Sequence, residues 1–300
     1  MDPLVIVFGL GVGILVGLTG IGGGSLMTPL LILAVGVKPV VAIGTDLAYG
    51  AITKTVGGWR HLRKGTVDLG VSKWLALGSV PGSLVGVWLL NRLHDAHGDA
   101  FEPVLLGLVA GMLVIVSVTI LARALFMPKL HERERETVEL DRRTKITAVA
   151  IGAVLGMVLG LTSVGSGALI GLALILVFRM TPHRVVGTDV FHAAVLLWTA
   201  GLAHLLSGNV DLLLTANILL GSIPGVWIGT HVVTSVPANG LRPALGCVLL
   251  GSALGVLTKA GVAVPVAAIV GVPAAAGAFA WLVHRSRART RVPAPEGAPA

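Results

Sequence analysis

The chain has 300 residues, of which 55% are hydrophobic, only 12% are charged and 41 are glycine, and its formal net charge is +8. That is about half the charge density of an average soluble domain. At about 20 residues per helical span there is room for nine or ten crossings and no sizeable aqueous domain, which excludes a soluble enzyme with a membrane tag.

Long apolar runs such as 101–126 and 185–206 do not alternate residue by residue as barrel strands would, so the expected fold is an all-α, polytopic integral membrane helical bundle. The start, Met1-Asp2-Pro3, lacks the basic region of a secretory signal, and the first apolar stretch is expected to be retained. That stretch, Leu4 to Val37, is interrupted by Gly17-Leu18-Thr19-Gly20-Ile21-Gly22-Gly23-Gly24-Ser25. Its arms, about 14 and 12 residues, are too short to cross 30 Å, which predicts a re-entrant or broken helix. Three crossings follow near 41–61, 69–91 and 103–126, completing a first repeat over 1–127. A charged linker, 128–145, carries Lys129, Arg133, Arg135, Arg142, Arg143 and Lys145 and reads as a solvated cytoplasmic loop, with a regulatory or partner-binding segment as the alternative. A second repeat over 146–258 starts with arms Ile146–Leu161 and Ala168–Phe178 around a break at Thr162–Gly167, then crosses near 184–206, 211–233 and 241–258. One more helix is expected within 259–284, before a basic, then Pro/Ala-rich, disordered tail over 285–300. The lone Cys247 excludes an intrachain disulfide and is read as packing.

Sliding the chain by 143 residues aligns Gly9–Gly86 with Gly152–Gly229 at about thirty identities. Polar matches carry the most weight: Gly44-Thr45-Asp46 on Gly187-Thr188-Asp189, Pro39 on Pro182, His61 on His204, Asp68 on Asp211, and Ser79 and Pro81 on Ser222 and Pro224. If each interrupted stretch returns to its own side, an outside N-terminus places every Lys and Arg except Lys38, Arg92, Lys259 and the in-span Lys54 on the cytoplasmic side, the basic tail included. A single crossing per interrupted stretch splits the cations almost evenly. The hairpin parse gives an odd number of crossings per half and therefore inverted repeats, the architecture of secondary transporters with a midplane site. No basic stripe is interleaved with aromatics, so nucleic acid is not an expected partner.

The chemistry concentrates at the two tips. Thr19, Gly20, Gly22, Gly23 and Gly24 match Thr162, Ser163, Gly165, Ser166 and Gly167, Ser25 falls on Ala168, and a helix starting after each break would aim free amides at a small anion. Close glycine packing is the alternative. Thr45, Asp46, Thr188 and Asp189 read either as N-caps of the next helix or as protonatable, gating groups beside the path. Lys54 lies two turns beyond Asp46 where the second half has Leu197, and it either offsets the charge of the cargo or pairs with a carboxylate. His61 and His204, each four residues before a glycine, read as helix C-caps, and His192 replaces Tyr49 as a possible hydrogen-bonding or titrating group. No metal-ligand spacing, nucleophile constellation or P-loop is present in the sequence, so no cofactor, metal or enzymatic activity is expected.

These residues resemble the sulfite exporter (TauE/SafE) family of membrane transporters. The resemblance rests on the motif from Gly17 to Gly24, Pro29, Ala42-Ile43-Gly44-Thr45-Asp46-Leu47 and His61-x-x-x-Gly65-x-Val67-Asp68, and it extends from about residue 4 to 258. It implies a plasma-membrane permease for sulfite or another sulfur-containing or organic anion, moving it outward with proton or potential drive. Ser163 and Ser166 depart from the glycines of the first tip and give the second a different polarity. The expected partners are the small anion, lipid and protons. An uncoupled channel or uniporter, and a membrane-embedded enzyme or assembly factor, are the alternative readings.

Overall fold

The structure, a computed structural model, describes residues 2–19, 24–126, 136, 138–232 and 238–290. Helix α1 (Pro3–Thr19) is followed by α2 (Gly24–Leu30), which runs into a π turn at Leu31–Val35. Then come α3 (Pro39–Arg63), α4 (Leu69–His97), a 3₁₀ turn at Gly98–Phe101 and α5 (Glu102–Phe126). The second half supplies α6 (Arg142–Thr162), α7 (Leu169–Leu176), α8 (Pro182–Leu206), α9 (Leu212–Val232) and α10 (Ala238–Lys259), and α11 (Val266–Thr290) ends the described chain. The stretch Leu69–Ala124 and the helices Arg142–Thr162, Pro182–Leu206, Leu212–Val232 and Val266–Val283 are long and apolar enough to cross a membrane.

Three expectations change. α6 begins at Arg142 and is itself long enough to cross, so the first arm of the second hairpin is not too short, whereas α1 stays among the shorter apolar helices. α11 carries Arg285, Arg287 and Arg289, which the sequence assigned to a disordered tail; Arg291 and the rest of that tail lie outside the described residues. Most of the linker does too, although its end is ordered: Asp141 Oδ1 accepts Thr144 N at 2.7 Å and caps α6, a bond that holds its carboxyl below the usual carboxylate range.

The third change concerns the Gly-Thr-Asp motifs. Pro39 and Pro182 take the first turn of α3 and α8, where a proline ring presets φ and its missing N–H costs nothing. Thr45, Asp46, Thr188 and Asp189 therefore lie beyond the first turn and do not cap these helices. The threonines cap across the duplication instead. Thr45 Oγ1 accepts the Asp211 amide at 3.1 Å at the start of α9, and Thr188 Oγ1 accepts the Asp68 amide at 2.8 Å at the start of α4. Asp68 and Asp211 are the true N-caps, through Val71 N (3.0 Å) and Leu214 N (2.9 Å). Thr45→Val or Thr188→Val removes the acceptor of one part-buried amide and is expected to cost about 0.5–1.5 kcal/mol, read as a drop of a few degrees in the detergent melting temperature. Thr53→Val, whose hydroxyl bonds only carbonyls of its own helix, is the control. Equal melting of all three proteins would dismiss the cross-caps.

Packing is also exchanged between halves. Gly9, Gly13 and Gly17 of α1 press their backbones on Ile218, Ser222 and Val226 of α9, and Gly221, Gly225 and Gly229 return the contact at Ile6, Leu10 and Ile14. A seam of the same kind joins α4 to α6: Gly78, Gly82 and Gly86 meet Val149, Ala153 and Met157, while Gly152, Gly156 and Gly160 meet Leu75, Ser79 and Ser83. In both seams the partner numbers rise together, so the helices run parallel. Between α3 and α8 they oppose, with Leu47 and Ala48 at Gly201, Gly50 at Leu197 and Gly58 at Phe191 and Ala194, so these two are antiparallel. Trp198 Nε1 donates to Thr55 Oγ1 at 2.8 Å across that crossing. α10 packs on α5, where Ser117 Oγ donates to the Gly246 carbonyl at 2.7 Å, and α11 packs on the outside of α10. Glycine every fourth residue is what lets backbones touch along the seams, in an environment where burial from water no longer drives helices together.

Candidate functional site

The second tip is a built turn. α6 ends at Thr162, Ser163 takes φ 58° in the left-handed region, and Gly165 and Gly167 take φ 112° and 101° before α7. The two glycines occupy conformations that side chains rarely adopt. A serine at 163 is strained where the first half has Gly20, and its hydroxyl explains the choice. Ser163 Oγ lies 2.6 Å from Thr28 Oγ1 of α2, which donates to Asp46 Oδ2 of α3 at 2.7 Å. Three elements from both halves thus meet in one chain of hydroxyls and a carboxyl, with every member at most 2% exposed.

The amides of the same tip are largely engaged. Val164 N donates to Thr162 Oγ1 (3.3 Å) and Leu169 N to the Gly165 carbonyl (3.2 Å). Lys54 and Arg123 are the cations whose charge reaches Asp189. Arg123, which the sequence reading counted with the cytoplasmic cations, has its guanidinium 3.9 Å from where a side chain at Gly171 would begin, beside α7. His192 Nε2 pairs with Ser79 Oγ at 3.1 Å, and the matching Tyr49 faces Ser222, the counterpart of Ser79.

Ser25 Oγ, Asp46 Oδ1, Lys54 Nζ, Asp189 Oδ1 and His192 Nδ1 are buried with no hydrogen-bond partner. Each such atom costs on the order of 1–3 kcal/mol, and intramembrane ionisable groups of this kind mark substrate and ion pathways. Lys54 and Asp189 are 8% and 5% exposed, so the cluster is closed in this conformation.

Gly20, Gly22 and Gly23 of the first tip lie outside the described residues, as do the side chains of Thr19 and Gly24. His61 and His204 hold helix ends. His61 Nδ1 is 2.9 Å from Thr66 Oγ1, and His204 bonds the Gly160 carbonyl (3.0 Å) and Asn209 Nδ2 (3.3 Å), with Gly65 and Gly208 at φ 67° and 76° just beyond. Ser166 is buried at the tip. Among the described residues no three His, Cys, Asp or Glu converge as a metal group. Sequence reasoning missed Thr28, Arg123 and the serine partner of His192. Ser79 and Ser222 were visible as matched polar residues; Thr28 and Arg123 align with Gly171 and Val266 and carried no such signal.

A family model described as sulfite exporter TauE/SafE matches residues 5–256. Among relatives, the chain is 39% identical over 254 residues to the "Probable membrane transporter protein YjnA" of Bacillus subtilis (strain 168), covering 85% of this chain and 99% of the relative. It is 26% identical to YdhB of the same organism, with 78% and 91% covered, and 28% identical to its YunE, with 75% and 85% covered; both carry the same description. No solved structure matches the chain.

Proposed function

The chain belongs to the sulfite exporter TauE/SafE family and is a membrane transporter of that type; we propose that it is a secondary transporter that exports a small anion, sulfite or a related sulfur-containing or organic anion, across the plasma membrane. The observation that carries this reading is the buried Lys54 and Asp189, whose Nζ and Oδ1 atoms are left without a hydrogen-bond partner inside a membrane bundle. An anion entering there meets the Lys54 ammonium and the hydroxyl-bearing tip residues Thr162, Ser163 and Ser166.

Alternating access follows from two inverted repeats rocking around this site. Support comes from the registers of the seams: α1 runs parallel to α9, α6 parallel to α4, and α3 antiparallel to α8, an arrangement that two halves of opposite orientation produce. The cation distribution supports an outside N-terminus and a cytoplasmic C-terminus. Asp46, linked through Thr28 to the tip that would hold the anion, is the candidate proton site, and Asp189 and His192 border the same path.

The test is flux into vesicles containing the purified protein, comparing sulfite, thiosulfate, sulfate, a sulfonate and a carboxylate with and without a pH gradient. Saturable sulfite flux that follows the gradient is the expected result, and no flux of any anion through folded protein would remove the reading. Asp46→Asn is expected to retain anion exchange while losing the response to the pH gradient; a response equal to that of the wild type would take Asp46 out of the coupling.

A further inference from the structure

The duplication is broken where the two carboxyls meet their neighbours. Asp46 and Asp189 are matched, but the hydroxyl bonded to Asp46 comes from Thr28, which falls on Gly171, and the one beyond it comes from Ser163, which falls on Gly20. The matching positions of the other half carry neither hydroxyl. Ser163 also keeps its side chain at φ 58°, in the left-handed region where a glycine would sit without strain, so this hydroxyl is held against a backbone cost.

We propose that Thr28 couples a proton on Asp46 to the anion at the second tip by reversing its hydrogen bond. Thr28 Oγ1 has one hydrogen, given to Asp46 Oδ2 at 2.7 Å, so while Asp46 is charged the 2.6 Å contact is donated by Ser163. The Ser163 hydrogen is then spent. When the site opens to water and Asp46 takes up a proton, Oδ2 is where that proton finds an acceptor, because Oδ1 has no partner and a buried donor without one is rarer than a carbonyl without one. Oδ2–H now donates to Thr28, Thr28 turns its hydrogen to Ser163, and the Ser163 hydrogen is released toward the anion. One proton enters and none leaves. All three groups are buried, so the hydrogens are exchanged along the relay rather than with solvent once the site has closed. By linkage the proton raises the affinity for the anion and the anion raises the affinity for the proton by the same factor. The two then travel together, outward where the internal anion is in excess. This rests on the second tip holding the anion, as proposed above.

Of the elements packed on α3, α2 and the π turn bring no titratable side chain to Asp46. α9 brings Asp211, whose carboxyl accepts Leu214 N, and α8 brings His204, bonded to the Gly160 carbonyl and Asn209, with His192 and Asp189 further along. α5 carries Glu102 and Arg123 near its two ends, and α3 itself carries Tyr49 and Lys54 beyond Asp46.

The test uses the full chain in vesicles at zero membrane potential, with methanesulfonate exchanged at the same pH on both faces, at about pH 5 and about pH 9, where this probe stays a monoanion. The wild type is expected to bind it at least about tenfold more tightly at the acid pH. Thr28→Val and Ser163→Gly are both expected to abolish that ratio, in opposite directions. Without the Thr28 hydroxyl, Ser163 has nothing to bond and is free for the anion, so the alkaline affinity rises to the acid value. Without Ser163 the donor is gone, and the acid affinity falls to the alkaline value. Thr28→Ser keeps a hydroxyl in place and is expected to restore the ratio. A wild-type ratio in Thr28→Val, which titration of His192, His204 or Asp189 would give, overturns the relay and leaves the anion site standing. A wild-type affinity that is equal at both pH values does the same. If Thr28→Val yields no folded protein, Ser163→Gly, which adopts φ 58° without strain, decides alone, and an unchanged ratio there overturns the relay. Exchange of neither methanesulfonate nor sulfite by the folded wild type overturns the anion site itself.

Discussion

Lys54→Leu, which gives the first half the residue that the second half carries at position 197, is expected to lower anion flux per folded molecule by at least about thirtyfold. Truncating one member of a buried, charge-assisted contact costs about 2–5 kcal/mol, and 1.4 kcal/mol is a factor of ten. The effect should appear in flux before it appears in folding. Lys54 Nζ has no hydrogen-bond partner, so its removal breaks no hydrogen bond within the bundle. Parallel melting curves in detergent separate the two effects. A Lys54→Leu protein with wild-type flux and affinity would show that the buried ammonium has no part in holding the anion.

The second large effect concerns the glycine seams. A side chain at Gly156 would be driven onto the Ser79 backbone, with its Cβ 2.6 Å from Ser79 Cα and closer still to the Ser79 carbonyl. Backbone on both sides leaves nothing flexible to give way. Gly156→Ala is expected to cost about 2–3 kcal/mol, at the upper end for overpacking in a well-packed interior, and Gly156→Val to leave no monodisperse folded protein. Gly13 sits in the same position in the other seam, against the Ser222 carbonyl, and should behave alike. Gly111→Ala, where nothing lies within 4 Å, is the internal comparison and should be neutral. Wild-type melting of Gly156→Val, measured by size-exclusion profile and thermal unfolding, would mean that α4 and α6 do not touch there.

Much of the fold can be read from hydropathy and from the 143-residue offset, because lipid leaves few alternatives to long apolar helices and a duplication repeats its breaks. The observed α3, α4, α5, α8, α9 and α10 lie over the expected crossings. What the offset concealed is which polar residue meets which. Thr45 and Asp68 looked like separate motifs of one half, yet each bonds a partner in the other half, and a pairing at long sequence separation leaves no local trace. The N-cap reading of Thr45-Asp46 was avoidable: Pro39 and Pro182 are the usual residues of a helix's first turn and place the start six residues earlier. Lys54 stood out because an isolated ammonium in an apolar run is costly wherever it is placed. Arg123 did not, since a cation near a helix end reads as a membrane-surface residue until its guanidinium is seen beside Gly171 of α7.

The seams also impose an order on synthesis. α1 leaves the ribosome first, but the face of α9 that its glycines require follows about 200 residues later, which at 5–20 residues per second is on the order of 10–40 s. For that interval a short helix with a glycine-lined face waits in the bilayer or in an insertase without its partner. α6, by contrast, emerges when α4 is already in place, so the α4–α6 seam is available to close before the α1–α9 seam can. Assembly of the nascent chain therefore starts from its middle, and the N-terminal helix is the last of the four seam helices to find its place.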